Sequence, residues 1–173
     1  AREWERGTME ALLVTPVRIN EVLVGKVVPY FLLGMGGMAL STGMAVLLFG
    51  VPLRGSFVVL TLASAMFMLT ALGMGLLIST VTRNQFVAAQ LAIIATFLPA
   101  FFLSGFLFSL DSTPAFIQWL SRVVAARYFV AIVQTVFLAG DVWPVLAPNL
   151  AALGGMAAFF LLMTRRKTHK RLE

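Results

Sequence analysis

Long apolar stretches separated by short polar links dominate the pattern along this chain. Four of these stretches contain no charged residue and are long enough for a helix of about 20 residues, which crosses the roughly 30 Å hydrocarbon core of a membrane. They are residues 27–50, 56–81, 86–108 and 145–163. The pattern therefore predicts an all-α integral membrane fold with four transmembrane helices.

Residues 109–143 form a fifth, less regular stretch. The part from Tyr128 to Ala139 is apolar, but 12 helical residues reach only about 18 Å, too short to cross a bilayer. In the part before it, apolar residues recur at helical spacing at Phe116, Ile117, Leu120 and Val124. We expect two short helices, joined near Ala126, that enter the membrane from outside without spanning it. Such backbone is tolerated where other protein segments cover it.

Composition supports the membrane assignment. The 173 residues are 60% hydrophobic and 12% charged, whereas soluble domains carry roughly 25% charged residues. Because the sequence contains no cysteine, disulfides, thiol nucleophiles and cysteine metal ligands are excluded within it.

The basic residues indicate the orientation of the chain. Four spans place both ends on one side, together with the link after the second span. That side then carries ten of the basic residues and the other side three. Lys and Arg are enriched in cytoplasmic segments, so both ends are predicted to be cytoplasmic, with residues 164–173 as a basic tail. A fifth span would place this tail outside.

The residue types missing from the apolar stretches argue against ion coupling, catalysis and ATP binding in this chain. Ion-coupled transporters usually place ionisable groups within the membrane, and none lies in the middle of a span here. The single histidine, His169, lies in the tail. Gly25-Lys26 resembles the end of a phosphate-binding loop, but Val27 replaces the required Ser or Thr. We therefore predict no catalytic residue, no metal site and no cofactor in this chain.

Glycines, prolines and glutamines interrupt the apolar pattern of the spans. Glycines such as Gly34 and Gly73 are interpreted as positions of close helix packing. Pro29 and Pro99 are expected to kink their helices. For Gln90 and Gln134 we favour hydrogen bonds between helices.

The polar segment before the first span predicts a helix of about two turns. Thr8, after the flexible Gly7, can cap its N-terminus, and Glu10 in the first turn interacts favourably with the helix dipole. Pro16 ends the helix. Met9, Leu12 and Leu13 share one face.

Two interpretations of this segment remain open at this point. It could lie flat on the membrane as an interfacial anchor. However, the acidic residues Glu3, Glu5 and Glu10 are unfavourable near anionic lipid. A protein partner therefore fits the segment better.

The segment "EWERGTMEALLVTPVRINEVLVGKVVPY" resembles ABC-2 type transporter permeases, which carry Glu-x-Glu-Arg-Gly-Thr, a Leu-rich turn, Thr-Pro and Gly-Lys. The segment "FFLSGFLFSLDSTPAFIQWLSRVVAARYFVAIVQTVFLAGD" is similar to the outer part of the same family. One departure is Ala125-Ala126, where many relatives carry a proline. The matching residues of the first segment are Glu3, Glu5, Arg6, Gly7, Thr8, Leu12, Leu13, Thr15, Pro16, Gly25 and Lys26.

This resemblance implies the membrane subunit of a bacterial inner-membrane exporter of drugs, lipids or envelope components. It implies a dimer of permease chains driven by separate ATPase subunits, which bind ATP and Mg²⁺. Residues 1–26 would form the cytoplasmic coupling segment, in which Glu3, Glu5, Arg6, Gly7, Thr8, Glu10, Leu12, Leu13 and Pro16 contact the ATPase. Family members usually have six spans, so we expect earlier spans and an external domain to precede Ala1. The alternatives are a membrane scaffold without transport activity and, less favoured, an ion-coupled transporter.

The predicted topology can be tested by thiol labelling. Single cysteines at Ser112 and Thr168 should react with a membrane-impermeant reagent from opposite sides, because charge asymmetry places Thr168 in the cytoplasm. Reaction of both cysteines from outside would contradict the topology.

Overall fold

The structure is a computed structural model that describes residues 19–82, 84–104 and 114–167, with side chains from Glu21 onward. Within these ranges it contains helices and no strand. Helix α1 comprises Ile19–Gly43 and a π-helical turn at Met44–Leu48, and α2 comprises Phe57–Thr82. Helix α3 comprises Gln85–Ala92, a π-helical turn at Ile93–Phe97, and Leu98–Leu103. Helix α4 is Ala115–Ser121, α5 is Ala125–Gln134 with a π-helical turn at Thr135–Ala139, and α6 is Trp143–Lys167.

Helices α1, α2, α3 and α6 are the four described helices that are long and apolar enough to cross a membrane, which confirms the predicted number of spans. Their ends differ from the predicted bounds. Helix α1 begins at Ile19, well before residue 27, and α6 continues to Lys167. The three basic residues in the last turn of α6 favour this extension because cations interact favourably with a helix C-terminus.

Helices α4 and α5 are bent by 90° relative to each other. The bend lies next to Val124, which has extended backbone angles (φ −90°, ψ 113°), close to the junction predicted near Ala126. That this pair does not span the membrane stays a prediction, because the two helices together are long enough for one broken span.

The buried core lies where α2 packs against α6 and α5. The helices α2 and α6 run parallel. Thr70 of α2 contacts Leu153 of α6, and the next contact, between Gly73 and Thr164, lies further toward the C-terminus of both helices. The fully buried large side chains of this core come from all three helices. They include Leu60, Ile132, Val136, Leu146 and Leu153.

Gly73 allows the closest approach between α2 and α6. A Cβ atom at Gly73 would lie 3.1 Å from the Phe160 Cβ and 3.3 Å from the Leu161 backbone nitrogen. A methyl group at these distances would be tighter than ordinary van der Waals contact, and the close approach lets the buried Thr164 hydroxyl donate to the Gly73 carbonyl across 3.1 Å. Small residues and hydroxyl-to-carbonyl bonds are the usual stabilising contacts between helices in lipid.

The two other long helices are attached at the periphery. Every side chain described in α1 and α3 is either half-buried or exposed. Helix α1 contacts α2 at Gly34, where an added Cβ would lie 2.0 Å from the flexible end of Met68. In α3 the π-helical turn at Ile93–Phe97 ends two residues before Pro99, which lacks the N–H that a regular helix requires. A π-helical turn also ends α5 without a proline next to it, so the kinks expected at Pro29 and Pro99 stay predictions.

Gly73→Ala should destabilise the full-length protein. The methyl group requires α6 to give by a few tenths of an ångström at Phe160 and Leu161, and overpacking of this kind typically costs about 1–3 kcal/mol. Gly75→Ala is the matched control, because an added Cβ there meets nothing within 4 Å. Alanine should be neutral or slightly stabilising at Gly75 through its better helix propensity. Thermal unfolding in detergent measures the stability of both variants. Equal stability of the two would contradict the close α2–α6 contact.

Candidate functional site

The predicted ATPase-contacting residues Glu3, Glu5, Arg6, Gly7, Thr8, Glu10, Leu12, Leu13 and Pro16 lie outside the described residues, as do the tail residues 168–173 and the outer residues 109–113. What the structure does describe is α1, whose first described residue follows Pro16 by three positions. Helix α1 continues from Ile19 through Gly25, Lys26 and Pro29 without a break. At 1.5 Å per residue, its 25 α-helical residues extend over about 38 Å, more than the hydrocarbon core. Helix α1 can therefore carry a displacement of its first turn across the membrane as one rod.

At the far end of α1, a loop turns the chain back and binds the end of α5. Gly50 adopts a positive φ of 65°, which glycine tolerates without strain. The Gly55 N–H donates to the Val136 carbonyl at 2.8 Å, and Arg54 Nη1 donates to the Leu138 carbonyl at 3.0 Å. These contacts place a cation next to carbonyl groups at a helix C-terminus, where cations are stabilising.

The same loop is joined to the start of α6 through Asp141. The Ser56 N–H, at the start of α2, donates to Asp141 Oδ1 at 2.8 Å. A carboxylate at a helix N-terminus accepts from an otherwise unpaired N–H group and interacts favourably with the helix dipole. Gly140, with φ 91°, lies against the Arg54 carbonyl and turns the chain into this position. We refer to Arg54, Gly55, Ser56, Gly140 and Asp141 as the loop clamp.

The 90° bend between α4 and α5 is held by two side chains that follow it. Arg127 Nη1 donates to the Gln118 carbonyl at 3.1 Å and to Ser121 Oγ. The Tyr128 hydroxyl donates to the Arg122 carbonyl at 2.7 Å. The fully buried Ser121 in turn donates to the Gln118 carbonyl. Sequence analysis counted Arg127 only as one of the three basic residues on the outer side. Its position directly after the bend was the available signal for this second role.

A cavity of about 500 Å³ lies beneath this bend, bordered by α2, α3, α5 and α6. Its lining is almost entirely apolar. Representative members are Met74, Phe97, Leu103, Val124 and Phe160. The size is within the range of about 300–1,000 Å³ that is typical of ligand pockets.

A second apolar cavity of about 380 Å³ lies between α1, α2 and α5. Phe67 lines both cavities and stacks on Phe129, with ring centroids 4.5 Å apart and planes at 9°. The stacked rings therefore separate the two cavities. Sequence reasoning did not identify either cavity, because Phe and Met in apolar stretches face lipid or core by default.

The glycines and glutamines singled out in the sequence have mixed environments. Gly34, Gly73 and Gly154 contact another helix, as predicted for packing positions. In contrast, Gly36 and Gly37 would accept a Cβ without any contact within 4 Å. Gln90 and Gln134 are both exposed on this single chain, so the hydrogen bonds favoured for them stay a prediction.

Comparisons of the sequence with known proteins assign the chain to a family. A family model described as ABC-2 family transporter protein matches residues 1–166. The chain is 51% identical over 173 residues to the probable multidrug ABC transporter permease YbhS of Escherichia coli K12, covering 100% of this chain and 46% of that protein. It is 30% identical over 173 residues to the inner membrane transport permease YhhJ of the same strain, covering 96% of this chain and 46% of that protein. A further match is the probable multidrug ABC transporter permease YbhR of that strain, 29% identical over 178 residues, covering 96% of this chain and 46% of that protein.

The chain thus spans about half the length of these curated relatives. No solved structure matches the chain.

Asp141→Ala should loosen the start of α2 in the full-length protein. The Ser56 N–H would lose its acceptor, and loss of an N-terminal cap typically costs about 1 kcal/mol, or roughly fivefold in local opening. Hydrogen exchange of the first amides of α2 measures this change. Asp141→Asn is the matched control, because its side-chain oxygen can still accept the bond. Equal exchange in the wild type and Asp141→Ala would show that the carboxylate does not hold the loop.

Proposed function

Because this chain belongs to the ABC-2 family of transporter proteins, we propose that it forms the C-terminal part of the membrane permease of an ATP-binding-cassette exporter. The single observation that carries the proposal is the family match over residues 1–166. The four described helices able to cross a membrane agree with it. ATP and Mg²⁺ bind to a separate ATPase subunit. The permease lies in the bacterial inner membrane with both ends of this segment in the cytoplasm.

The working unit pairs two permease chains with two ATPase subunits. The peripheral position of α1 and α3 leaves surface for a larger assembly. Both helices expose large apolar side chains along much of their length, including Leu33 and Leu47 on α1 and Phe86 on α3, and these can face either lipid or another protein segment. In addition, the curated relatives are about twice as long, so further segments of the permease are available to cover these helices.

Energy enters this permease through residues 7–16. Met9, Leu12 and Leu13 dock on the ATPase as a small apolar surface, and Glu3, Glu5 and Arg6 surround it with charge-assisted hydrogen bonds. ATP hydrolysis shifts this surface. Because α1 is unbroken from Ile19, the shift moves the whole helix and reaches the loop clamp at its other end.

The loop clamp passes this movement to the α4–α5 pair. Arg54 and Gly55 hold the last carbonyl groups of α5, so a displacement of the α1–α2 loop pulls on α5 directly. Helix α5 carries Phe129, whose ring stacks on Phe67 between the two cavities. The movement therefore changes the barrier between the cavities. This path links the ATPase to the part of the permease that can hold an apolar, drug-like or lipid substrate.

A membrane scaffold without transport activity is the second candidate. Its supporting observation is that no Asp, Glu, Lys, Arg or His lies in the middle of the four described spanning helices to bind a charged substrate or coupling ion. A scaffold would bind the same ATPase without stimulating it. Substrate-stimulated ATP hydrolysis therefore separates the two candidates.

Leu12→Ser combined with Leu13→Ser, made in the full-length permease, should abolish docking of the ATPase. Each buried leucine contributes roughly 1.5–3 kcal/mol, so the loss of both should weaken binding by orders of magnitude. The measurements are pull-down of the ATPase and substrate-stimulated ATP hydrolysis.

The matched control removes two apolar side chains from the opposite end of the spans. Val51→Ser with Val142→Ser changes two residues that are each partly exposed, at 39% and 36%. This control should retain docking. Normal docking and stimulation by the Leu12 and Leu13 double variant in well-inserted protein would return residues 7–16 to the role of an interfacial anchor.

A further inference from the structure

The lining of the 500 Å³ cavity offers no free hydrogen-bond donor on its described side chains. Its polar members are Thr70 and Thr96. The Thr70 hydroxyl donates to the Met66 carbonyl at 2.8 Å, and the Thr96 hydroxyl donates to the Ala92 carbonyl. A charged or strongly polar molecule in this cavity would lose its hydration without compensation. The chemistry of the lining therefore selects hydrocarbon.

Among the described residues, exposed side chains of α3 and of the α4–α5 bend border one side of the cavity. Phe97 and Val123 both line it, yet they are 60% and 65% exposed on the surface of the described residues. Phe97 belongs to a helix that can span a membrane, so lipid is the medium that this side of the described residues meets. Apolar cavities do not take up water, and hydrocarbon from the surrounding lipid is the molecule at hand to fill this one.

From these two observations we propose that the cavity holds one acyl chain, which enters from the bilayer between α3 and the α4–α5 bend. Its inner end lies against Phe67 and Phe160, and its length runs along Met74 and Leu103. Lipid tails are as apolar as the lining, so retention depends on close packing rather than on escape from water. Binding should therefore be saturable and sensitive to the shape of the cavity.

The occupied cavity has a consequence for transport. A substrate that enters the same space must displace the acyl chain, and a molecule of similar shape and polarity does so most readily. Movement of Phe129 against Phe67 would open the neighbouring 380 Å³ cavity to the displaced or incoming molecule. The acyl-chain site itself belongs to the permease and does not require ATPase docking.

The test uses full-length permease in lipid nanodiscs without the ATPase. A negative result for the acyl-chain site is then distinct from a negative result for coupling to the ATPase. The probes are a phosphatidylcholine with one diazirine-bearing acyl chain and hexadecanoic acid with the same diazirine. After irradiation, mass spectrometry maps the adducts. We expect saturable adducts on cavity residues such as Met74 and Leu103. The relative yield of the two probes identifies a bilayer lipid or a free fatty acid as the source of the chain.

Ala100→Phe places a phenyl ring in the cavity and should lower the yield of these adducts about tenfold, as expected when a filled space is overpacked. Ala89→Phe is the matched control, because Ala89 is exposed on the same helix and does not line the cavity. If Ala100→Phe fails to insert, Ala71→Phe fills the cavity from α2 instead.

Two results would overturn the proposal. One is an adduct pattern confined to exposed helix faces and unchanged by Ala100→Phe. The other is an absence of cavity adducts in wild-type protein, which would show that another segment of the permease fills this space.

Discussion

The parallel contact of α2 with α6 is the interaction on which the rest of the chain is assembled. Inside a bilayer, lipid tails are as apolar as leucine, so helices gain little from leaving their solvent and must associate through close packing and hydrogen bonds. Gly73 provides the close packing, and the hydroxyls of Thr70 and Thr164 reach carbonyl groups on the partner helix. Helix α5 then packs on the surface that this pair creates, with Ile132 and Val136 fully buried.

The peripheral helices are attached in a different way, which suits parts that move. Helix α1 contacts α2 where Gly34 meets the side chain of Met68, and this flexible thioether can adapt when the helix shifts. Its far end is joined more firmly, because the loop clamp uses backbone and charged groups with defined geometry. With an adaptable contact at Gly34 and a firm attachment at the loop clamp, α1 is suited to the proposed transmission of displacement along its axis without disturbing the α2–α6 contact.

The apolar pattern was sufficient to predict the four spans and the junction between the two short helices, because length and periodicity are properties of continuous sequence. It could not distinguish Gly73, which touches α6, from Gly75, which faces open space one half-turn away. Nor could it pair Ser56 with Asp141, since a contact between distant segments leaves no periodic signal. The predicted ATPase-contacting residues lie before the described part of the chain, so they rest on the family resemblance and on the continuity of α1.

The hydrogen bonds made by hydroxyl groups within the helices bear on how such a permease can work. Hydroxyls of Thr61, Ser64, Thr80 and Thr135 donate to carbonyl groups one turn earlier in their own helices, as Thr70 and Thr96 do at the cavity. These bonds satisfy the hydroxyl donors in lipid, and they also leave the described cavities without groups that could attract or release a substrate by charge. At the described lining, selection by shape and release through a change in helix packing fit the proposed function. The described lining of both cavities contains no Asp, Glu, Lys, Arg or His, which agrees with the proposed delivery of mechanical displacement along α1.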